Sequence, residues 1–401
     1  MLDAALRRLI RVGALTVKTA DGQAHAFGDG TGIPVIVRLS AEAARKIPLF
    51  PGLHLGEAYM NGGLVLEQGG LWDLLEIVGR NVEGRRLGDR KGLARTLMNI
   101  RRRVEQWNDR DASRRNVSHH YDLSLELYRR FLDEDLQYSC AYFARPEMTL
   151  DEAQLAKKAH IAAKLRLEPG MKVLDIGCGW GGMALYLARK HGVEVHGITL
   201  SQEQLATAER RASEAEPGLN ERVRFSLTDY RDVAGEYDRI VSVGMFEHVG
   251  VPNYGAFFET IRKRLKPDGV ALVHAIGRSD PPAPAQAWIK KYIFPGGYIA
   301  PLSEVLPQVE EARLMVNDIE ILRLHYAETL RIWRERFMAQ REEIAGVYDE
   351  RFCRMWEFYL AFSELAFRYL KHMVFQLQLT KRVDVLPLTR DYMFDAERGG
   401  A

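Results

Sequence analysis

The chain has 401 residues, of which 47% are hydrophobic and 27% charged, and its formal net charge is +2. This composition is that of an ordinary globular protein, and the length favours two domains. The near balance of charge argues against a nucleic-acid partner for the whole molecule. The first residues carry arginines where a signal peptide needs an apolar core, so we expect a cytoplasmic protein. The apolar runs are shorter than a membrane span requires.

Charge is unevenly distributed along the chain. Eleven basic and four acidic residues lie between residues 85 and 115. Such a stretch favours an anionic surface, either phospholipid or nucleic acid, although a solvated arginine-rich linker gives the same pattern. The cysteines (Cys140, Cys178 and Cys353) have neither metal-binding spacing nor a pairing pattern, so we predict no metal site and a reducing compartment.

The N-terminal part is predicted to be a small accessory domain with a basic linker, residues 1–110. The stretch "GIPVIVRLS" (32–40) predicts a strand, and "SAEAARKI" (40–47) predicts a short helix capped by Ser40. The spacing of "LWDLLEIVGR" (71–80) predicts another helix.

Residues 111–401 are predicted to form the second domain. From residue 150, helical patterns alternate with buried strands that end in "LDIGCGWGG", "GITLS", "LTDY", "MFEHV" and "HAIGR". This alternation predicts an α/β fold, with a mostly parallel, doubly wound sheet and helical additions. We expect an amphipathic helix at 151–167, an irregular segment at 278–330 and helices throughout 325–379.

The glycine-rich turn "VLDIGCGWGG" indicates a cofactor site. Gly177, Gly179 and Gly182 fit the G-x-G-x-x-G pattern, which lets the backbone approach a ligand closely. A nicotinamide dehydrogenase would need an acid at the end of the next strand, but that strand ends in "GITLS". Asp175, which precedes the glycines, is typical of class I S-adenosylmethionine-dependent methyltransferases. We therefore predict that Rossmann-like fold.

Several stretches, in order along the chain, resemble the cyclopropane-fatty-acyl-phospholipid synthase family. They are "GEAYMNG" (56–62), "HYDLS" (120–124), "QYSCAYF" (137–143), "LDIGCGWGG" (174–182), "GITLSQEQ" (197–204), "MFEHVG" (245–250), "HAIG" (274–277), "WIKKYIFPGGY" (288–298) and "HYAETL" (325–330).

The resemblance implies a reaction and its cofactors. A cis alkene in a phospholipid acyl chain takes the methyl group of S-adenosylmethionine, and the resulting carbocation loses a proton and closes to a cyclopropane. The base is implied to be a bound bicarbonate. The residues that match its site in the family are Cys140, Glu247, His274, Tyr326 and the amide of Ile276.

The placement of Glu247 and His274 supports this assignment independently. Each follows or ends a predicted strand, and ligands of open α/β sheets bind at those ends. A single histidine in such a strand is more often a satisfied core residue, but four polar side chains in this placement favour a site. Glu247 would accept a hydrogen bond from the bicarbonate or orient His274.

The resemblance also implies which residues bind the cofactor. Tyrosines and serines of two motifs would enclose the methionine end, the glycines would form the turn, and two later strand ends would meet the ribose and adenine. These residues are Tyr121, Ser124, Tyr138, Ser139, Asp175, Gly177, Gly179, Thr199, Leu200, Gln204, Asp229 and Tyr230.

Other functions stay open at this point. A lipid C-methyltransferase that makes methyl-branched, methylene or furan-precursor fatty acids would share the fold and the site. A non-catalytic membrane-surface module would lack affinity for the cofactor. As partners we expect a phospholipid bilayer surface and an unsaturated acyl chain, at the inner face of the membrane. We expect no nucleic acid, and homodimerisation is left open.

Overall fold

The computed structural model describes residues 2–83 and 124–399. The chain divides into two compact units, each assembled from separate segments. Unit 1 comprises Met1–Leu97, Ala285–Pro295 and Ala327–His372, and unit 2 comprises Met98–Pro284, Gly296–Tyr326 and Met373–Ala401. The domain boundary expected between residues 110 and 111 lies outside the described residues and stays a prediction.

Helices and strands are numbered in chain order within the described residues. The helices are α1 (Leu2–Leu9), α2 (Ala41–Lys46), α3 (Pro51–Met60), α4 (Leu71–Val82), α5 (Leu125–Arg129), α6 (Leu150–Leu165), α7 (Gly182–His191), α8 (Gln202–Ser213), α9 (Tyr254–Arg264), α10 (Ala287–Tyr292), α11 (Leu302–Glu311), α12 (His325–Ala339), α13 (Arg341–Val347), α14 (Glu350–Tyr369) and α15 (Asp391–Gly399). The strands are β1 (Ala14–Lys18), β2 (Ala24–Phe27), β3 (Pro34–Leu39), β4 (Leu64–Gln68), β5 (Lys172–Ile176), β6 (Glu194–Thr199), β7 (Val223–Leu227), β8 (Tyr237–Val243), β9 (Leu265–Arg278), β10 (Ala300–Pro301), β11 (Met315–Leu322) and β12 (His372–Thr380).

Unit 1 contains a small mixed sheet in the order β2–β1–β3–β4. The predicted strand is β3, in which Val35, Val37 and Leu39 alternate as buried residues and so face one side. The predicted cap is also present, because Ser40 Oγ accepts a 3.1 Å hydrogen bond from the amide of Ala43 at the start of α2. The helix expected at 71–80 is α4. These local predictions are confirmed.

Two glycines let helices of unit 1 pack closely. A Cβ on Gly56 in α3 would lie 2.6 Å from the Trp288 indole, and one on Gly79 in α4 would lie 2.5 Å from the Tyr369 ring. Tyr59 of α3 also donates a 2.6 Å hydrogen bond to the buried Glu357 carboxylate in α14. The N-terminal helices therefore pack against helices that come much later in the chain.

Unit 2 is built on a sheet in the order β11–β12–β9–β8–β5–β6–β7, with β10 paired to β9. The strands from β9 to β7 run parallel, and β11 is antiparallel to β12. From β5 the chain moves outward through β6 and β7 and returns to β8 on the other side of β5. This reversal of strand order creates the crevice in which open α/β sheets bind ligands.

Both faces of this sheet are covered by apolar residues. Neighbouring residues such as Val173 and Leu174 belong to two separate hydrophobic clusters, as do Ala271 and Leu272. Because successive side chains of a strand point to opposite faces, a strand with two covered faces is an almost continuous apolar run. The predicted doubly wound α/β fold is confirmed.

Three of the predictions for the chain after residue 150 are wrong in detail. The segment expected to be irregular contains α10, α11 and β11. The segment expected to be helical throughout ends in β12, which is buried along nearly its whole length and therefore lacks the alternation that marks a strand. The helix expected to be amphipathic, α6, buries polar residues as well, among them Gln154, Lys157 and Lys164.

Candidate active site

A cavity of about 140 Å³ opens at the carboxyl ends of β5, β6, β7 and β8. Its position is the one expected for a ligand at the reversal of strand order. Most of the predicted cofactor residues line it: Tyr138, Ser139, Asp175, Gly177, Gly179, Thr199, Leu200, Gln204, Asp229 and Tyr230. The structure thus brings together residues that are spread over some ninety positions of the sequence.

The glycine turn after β5 forms the floor of this cavity. Gly177 has φ of 83° and Gly179 has φ of 54°, values that favour glycine. A Cβ on Gly177 would lie 2.7 Å from the Met245 side chain. The Gly177 amide donates a 2.9 Å hydrogen bond to the Ile198 carbonyl, which ties the turn to the end of β6. Within the described residues, no atom lies within 4 Å of the position of a Cβ on Gly179, so the backbone there is open to close approach by a ligand.

Asp175 is the charged group at the base of the cavity. Its side chain is buried, and within the described part of the chain no partner lies within hydrogen-bonding distance of its Oδ2 atom. Burial raises the pKa of the Asp175 carboxyl to about 7, against the opposing effect of the Lys157 charge. A buried carboxylate oxygen that lacks a partner fits a cationic ligand, such as the ammonium or sulfonium of S-adenosylmethionine.

Polar residues at or after the ends of β6 and β7 also line the cavity. Thr199 Oγ1 donates a 2.8 Å hydrogen bond to Gln204 Oε1, so both are held at the rim. Arg231 donates to both carboxylate oxygens of Asp229, over 2.8 and 2.6 Å. Arg231 was not predicted, and its only sequence signal is its position two residues after a strand-end acid.

Two residues of α6, one helical turn apart, hold the cavity wall formed by residues 137–139. Gln154 Nε2 donates to the carbonyls of Gln137 and Ser139, over 3.1 and 3.0 Å. Lys157 Nζ donates to Gln137 Oε1 over 2.6 Å and to Ser139 Oγ over 2.8 Å. Complete burial lowers the pKa of Lys157 to about 8. Sequence reasoning missed both residues because it assigned α6 a solvated polar face.

Further cavity residues were also missed. They are mostly neighbours of predicted ones or residues that follow strand ends: Gln137, Cys178, Trp180, Met183, Thr228, Met245 and His248. Trp180 packs on Tyr128 with ring centroids 4.9 Å apart, and Tyr138 packs on the same ring at 5.2 Å. Tyr138 and Trp180 therefore form an aromatic wall of the cavity, packed on the Tyr128 ring.

Glu247 lies in a short 3-10 turn, Phe246–His248, directly after β8. Its Oε1 atom accepts a 2.6 Å hydrogen bond from the Ile276 amide of β9. Its buried Oε2 atom has no hydrogen-bond partner among residues 2–83 and 124–399. Burial raises the pKa of Glu247 to about 7, although the Ile276 amide acts in the opposite direction. The predicted site residue is thus a buried carboxyl with one oxygen available to a ligand.

His274 lies two residues before Ile276 on β9, so both fall on the same side of the strand. Its Nδ1 atom is 3.1 Å from Gln376 Nε2 of β12. Burial lowers the pKa of His274 well below its usual range, and the nearby charges of Lys157 and Lys164 act in the same direction. The imidazole is therefore neutral at ordinary pH.

The remaining predicted site residues are Cys140, Tyr326, Ser124 and Tyr121. Cys140 is buried and its thiol donates to the Ala141 carbonyl over 3.3 Å. Tyr326 is buried in the first turn of α12. Ser124 is the N-cap residue of α5 and is not a cavity-lining residue, and Tyr121 lies outside the described residues. That Cys140, Glu247, His274, Ile276 and Tyr326 share one anion site stays a prediction.

The fold and the cavity together define an S-adenosylmethionine-dependent methyltransferase. The crystal structure of mycolic acid cyclopropane synthase CmaA1 in complex with SAH and CTAB matches this chain with a TM-score of 0.63 and 34% identity, covering 66% of this chain and 97% of that one. The family model for mycolic acid cyclopropane synthetase matches residues 108–377. The chain belongs to this family, whose model covers more than half of it.

Two relatives refine the comparison. The cyclopropane-fatty-acyl-phospholipid synthase of Escherichia coli strain K12 is 43% identical over 265 residues, which are 66% of this chain and 67% of the relative. The tuberculostearic acid methyltransferase of Mycobacterium tuberculosis is 36% identical over 382 residues, which are 90% of this chain and 87% of the relative. The chain is thus a lipid methyltransferase of the cyclopropane synthase type that uses S-adenosylmethionine.

Proposed function

We propose that this protein converts cis double bonds of phospholipid-bound acyl chains into cyclopropane rings. The name and the 43% identity of the Escherichia coli relative support this choice of substrate and product. The observation that carries the proposal is the state of Glu247, a buried carboxyl with one oxygen on the Ile276 amide and the other without a partner in the described structure.

The reaction places three demands on the chain. S-adenosylmethionine supplies an electrophilic methyl group to the alkene. Residues 137–139, Asp175 and the glycine turn have to hold the cofactor so that the alkene can reach that group. The carbocation that forms on the acyl chain has to be kept from water, and the aromatic wall of Tyr138 and Trp180 suits that purpose.

The carbocation then has to lose a proton from the added carbon, which forms the third ring bond and regenerates a neutral acyl chain. Bicarbonate is the base that the family resemblance implies, and a bicarbonate held by Glu247 and His274 would supply an oxygen acceptor for this proton. The unpartnered Oε2 atom of Glu247 fits the hydroxyl of such an anion, and His274 fits as a hydrogen-bond donor. The Ile276 amide already donates to Glu247, so it would have to share its hydrogen with the anion.

Access of the lipid is the second part of the proposal. None of the helices in residues 2–83 and 124–399 is long and apolar enough to cross a membrane. In unit 1, Leu49 and Phe50 are exposed three and four residues after Lys46, which with Arg45 ends α2. Basic side chains can bind anionic headgroups while neighbouring apolar side chains enter the bilayer, so this surface suits an anionic membrane. The basic stretch at 85–115, which we also expect at the bilayer, lies outside the described residues.

The bilayer contact has its own test, which is binding to vesicles. We expect binding to vesicles that contain anionic phospholipid, weakening as salt is raised. Leu49→Ser combined with Phe50→Ser should reduce it, whereas Leu388→Ser, which changes an even more exposed apolar residue of unit 2, should leave it unchanged. Equal binding to neutral vesicles, or insensitivity to salt, would count against the bilayer contact.

A lipid C-methyltransferase is the second candidate function. It is favoured by the tuberculostearic acid methyltransferase, which matches 90% of this chain, a larger share than the cyclopropane synthase matches. The two functions share the transfer step and differ only in what the carbocation does next. Proton loss from the added carbon closes the ring. A 1,2-hydride shift followed by proton loss gives a methylene chain, and proton loss from another carbon of the acyl chain gives a methyl-branched alkene.

Purified protein, S-adenosylmethionine and vesicles of phospholipid with cis-monounsaturated acyl chains test the proposal. We expect cyclopropane acyl chains, identified by mass, retention and the high-field ring protons in the NMR spectrum. Free fatty acid in place of phospholipid should be a poor substrate. Methyl-branched or methylene chains would instead identify the second function.

A further inference from the structure

A hydrogen-bonded chain of buried residues leads from α6 through β12 to His274. Lys164 Nζ donates a 2.7 Å hydrogen bond to Gln376 Oε1, and Gln376 Nε2 lies 3.1 Å from His274 Nδ1. All three side chains are at most 2% exposed. The reaction described so far makes no use of Lys164 or Gln376.

The chemistry of Lys164 determines which way the Gln376 amide points. An ammonium group has donors and no acceptor, so only the amide oxygen of Gln376 can face it. Lys164 is itself held in place by Glu320, and Glu320 Oε2 is 2.6 Å from His160 Nε2. The amide nitrogen of Gln376 must therefore face His274.

The orientation of the amide in turn determines the tautomer of the imidazole. The NH₂ group of Gln376 is a donor, so His274 Nδ1 has to be the acceptor and carries no hydrogen. In a neutral ring the hydrogen then sits on Nε2. A protonated ring is excluded by the same contact, because it would set an N–H of the ring against the N–H of the amide.

The geometry points to Lys164 and Gln376 as positioning residues that hold His274 in its neutral Nε2–H form. In that form the ring donates a hydrogen bond through Nε2 and cannot accept a proton there. His274 would therefore bind an anion, and the proton of the carbocation would go to another group. This inference rests on the proposed function for its role in turnover, but the tautomer itself is a property of the free protein.

The two forms of a neutral histidine give different ¹⁵N signals for the bare and the protonated ring nitrogen. We would label the full-length protein with ¹⁵N-histidine and identify the His274 signals by their loss in His274→Ala. We expect the Nε2–H tautomer in the wild-type protein without any substrate. An Nδ1–H tautomer or an imidazolium at His274 in the wild-type spectrum would overturn the inference.

Gln376→Glu is the decisive variant. A carboxylate can only accept, so His274 should turn to the Nδ1–H tautomer, and turnover should fall by about 100-fold, as expected for loss of one positioned donor. The affinity for S-adenosylhomocysteine should be unchanged. An unchanged tautomer in Gln376→Glu would contradict the inference.

Gln378→Glu is the matched control. Gln378 is equally buried in the same strand, but its amide donates to the Lys164 carbonyl and to Tyr392 rather than to His274. The wild-type tautomer should persist in this variant, and an inverted tautomer would show that any nearby carboxylate has the effect.

Lys164→Met tests the first link. Without the ammonium group the Gln376 amide has no fixed orientation, so both tautomers of His274 should be seen. A pure Nε2–H form in this variant would remove Lys164 from the account.

A wild-type protein with the expected tautomer but without transfer to lipid alkenes would refute the proposed function and leave this inference intact.

Discussion

The Ile276 amide donates a 2.6 Å hydrogen bond to Glu247 Oε1 across the ends of β9 and β8. This contact fixes the carboxyl group and leaves its Oε2 atom as a buried acceptor without a partner in the described residues. Since a buried acceptor of this kind is costly unless a ligand satisfies it, this contact supports our proposal that Glu247 belongs to a binding site.

Glu247→Gln should nearly abolish turnover. The amide oxygen of the glutamine can keep the hydrogen bond from Ile276, which places the NH₂ group where Oε2 accepts in the wild type. We expect a loss of at least about 100-fold in kcat, by comparison with other single groups of this kind. Turnover on phospholipid vesicles measures this loss, and calorimetry should give an unchanged affinity for S-adenosylhomocysteine. Full activity would remove Glu247 from the site.

Asp175→Asn, in contrast to Glu247→Gln, should weaken binding of the cofactor. The pKa of Asp175 is about 7 in the free protein, so the carboxyl is mostly protonated below this pH and ionised above it. The ammonium group of the ligand favours the ionised form, and the affinity of the wild type for S-adenosylhomocysteine should therefore rise between about pH 6 and about pH 8, with proton release on the acid side. Calorimetry in buffers of different ionisation enthalpy measures both effects.

The matched control for this titration is Glu247→Gln, which changes another buried carboxyl outside the cavity lining. It should keep the pH dependence, whereas Asp175→Asn should lose it. A pH dependence that survives in Asp175→Asn would assign the titrating group elsewhere.

Lys157→Met should loosen the wall formed by residues 137–139. It removes the donor to both Gln137 Oε1 and Ser139 Oγ while filling a similar volume, so the protein should still fold. Loss of these charge-assisted hydrogen bonds should weaken binding of S-adenosylhomocysteine by about tenfold or more. Lys190→Met, an exposed change on the next helix, serves as the control. Equal affinities in the two variants would contradict the assignment.

Gly182→Ala should impair the same wall from the opposite side. The added Cβ would lie 2.4 Å from Gln137 Nε2 and 2.5 Å from Asp135 Oδ2. We expect lower cofactor affinity and a lower midpoint of thermal unfolding. In the control, Gly346→Ala, no atom lies within 4 Å of the added Cβ, and helix propensity should stabilise the protein by about 0.5–1 kcal/mol. A Gly182→Ala variant with normal binding and stability would show that the wall can shift.

The sequence predicts the sheet of unit 2 and most of the cavity because those features depend on local patterns. A strand buried on both faces, a glycine turn and the residue after a strand end can each be recognised from a few neighbouring residues. The cavity residues Asp175 and Gly177 were found in this way, whereas Thr199 was implied by the family resemblance.

What the sequence does not reveal are the buried polar partners. Lys157 and Lys164 look like solvated helix residues, and only their contacts with Gln137 and Gln376 give them a role. Lys164 and Gln376 lie 212 residues apart, so no local pattern links them. For the same reason β12 resembles a continuation of the preceding helices, since its burial on both faces removes the period of two.

The fate of the transferred carbon tests the central claim most directly. The wild-type protein would be supplied with S-adenosylmethionine that carries three deuterium atoms on its methyl group, and with cis-monounsaturated phospholipid vesicles. The acyl products would be analysed by mass spectrometry and NMR. The account predicts cyclopropane rings that keep two of the three deuterium atoms, because one is lost when the ring closes. Acyl chains that carry all three in a methyl branch would contradict it.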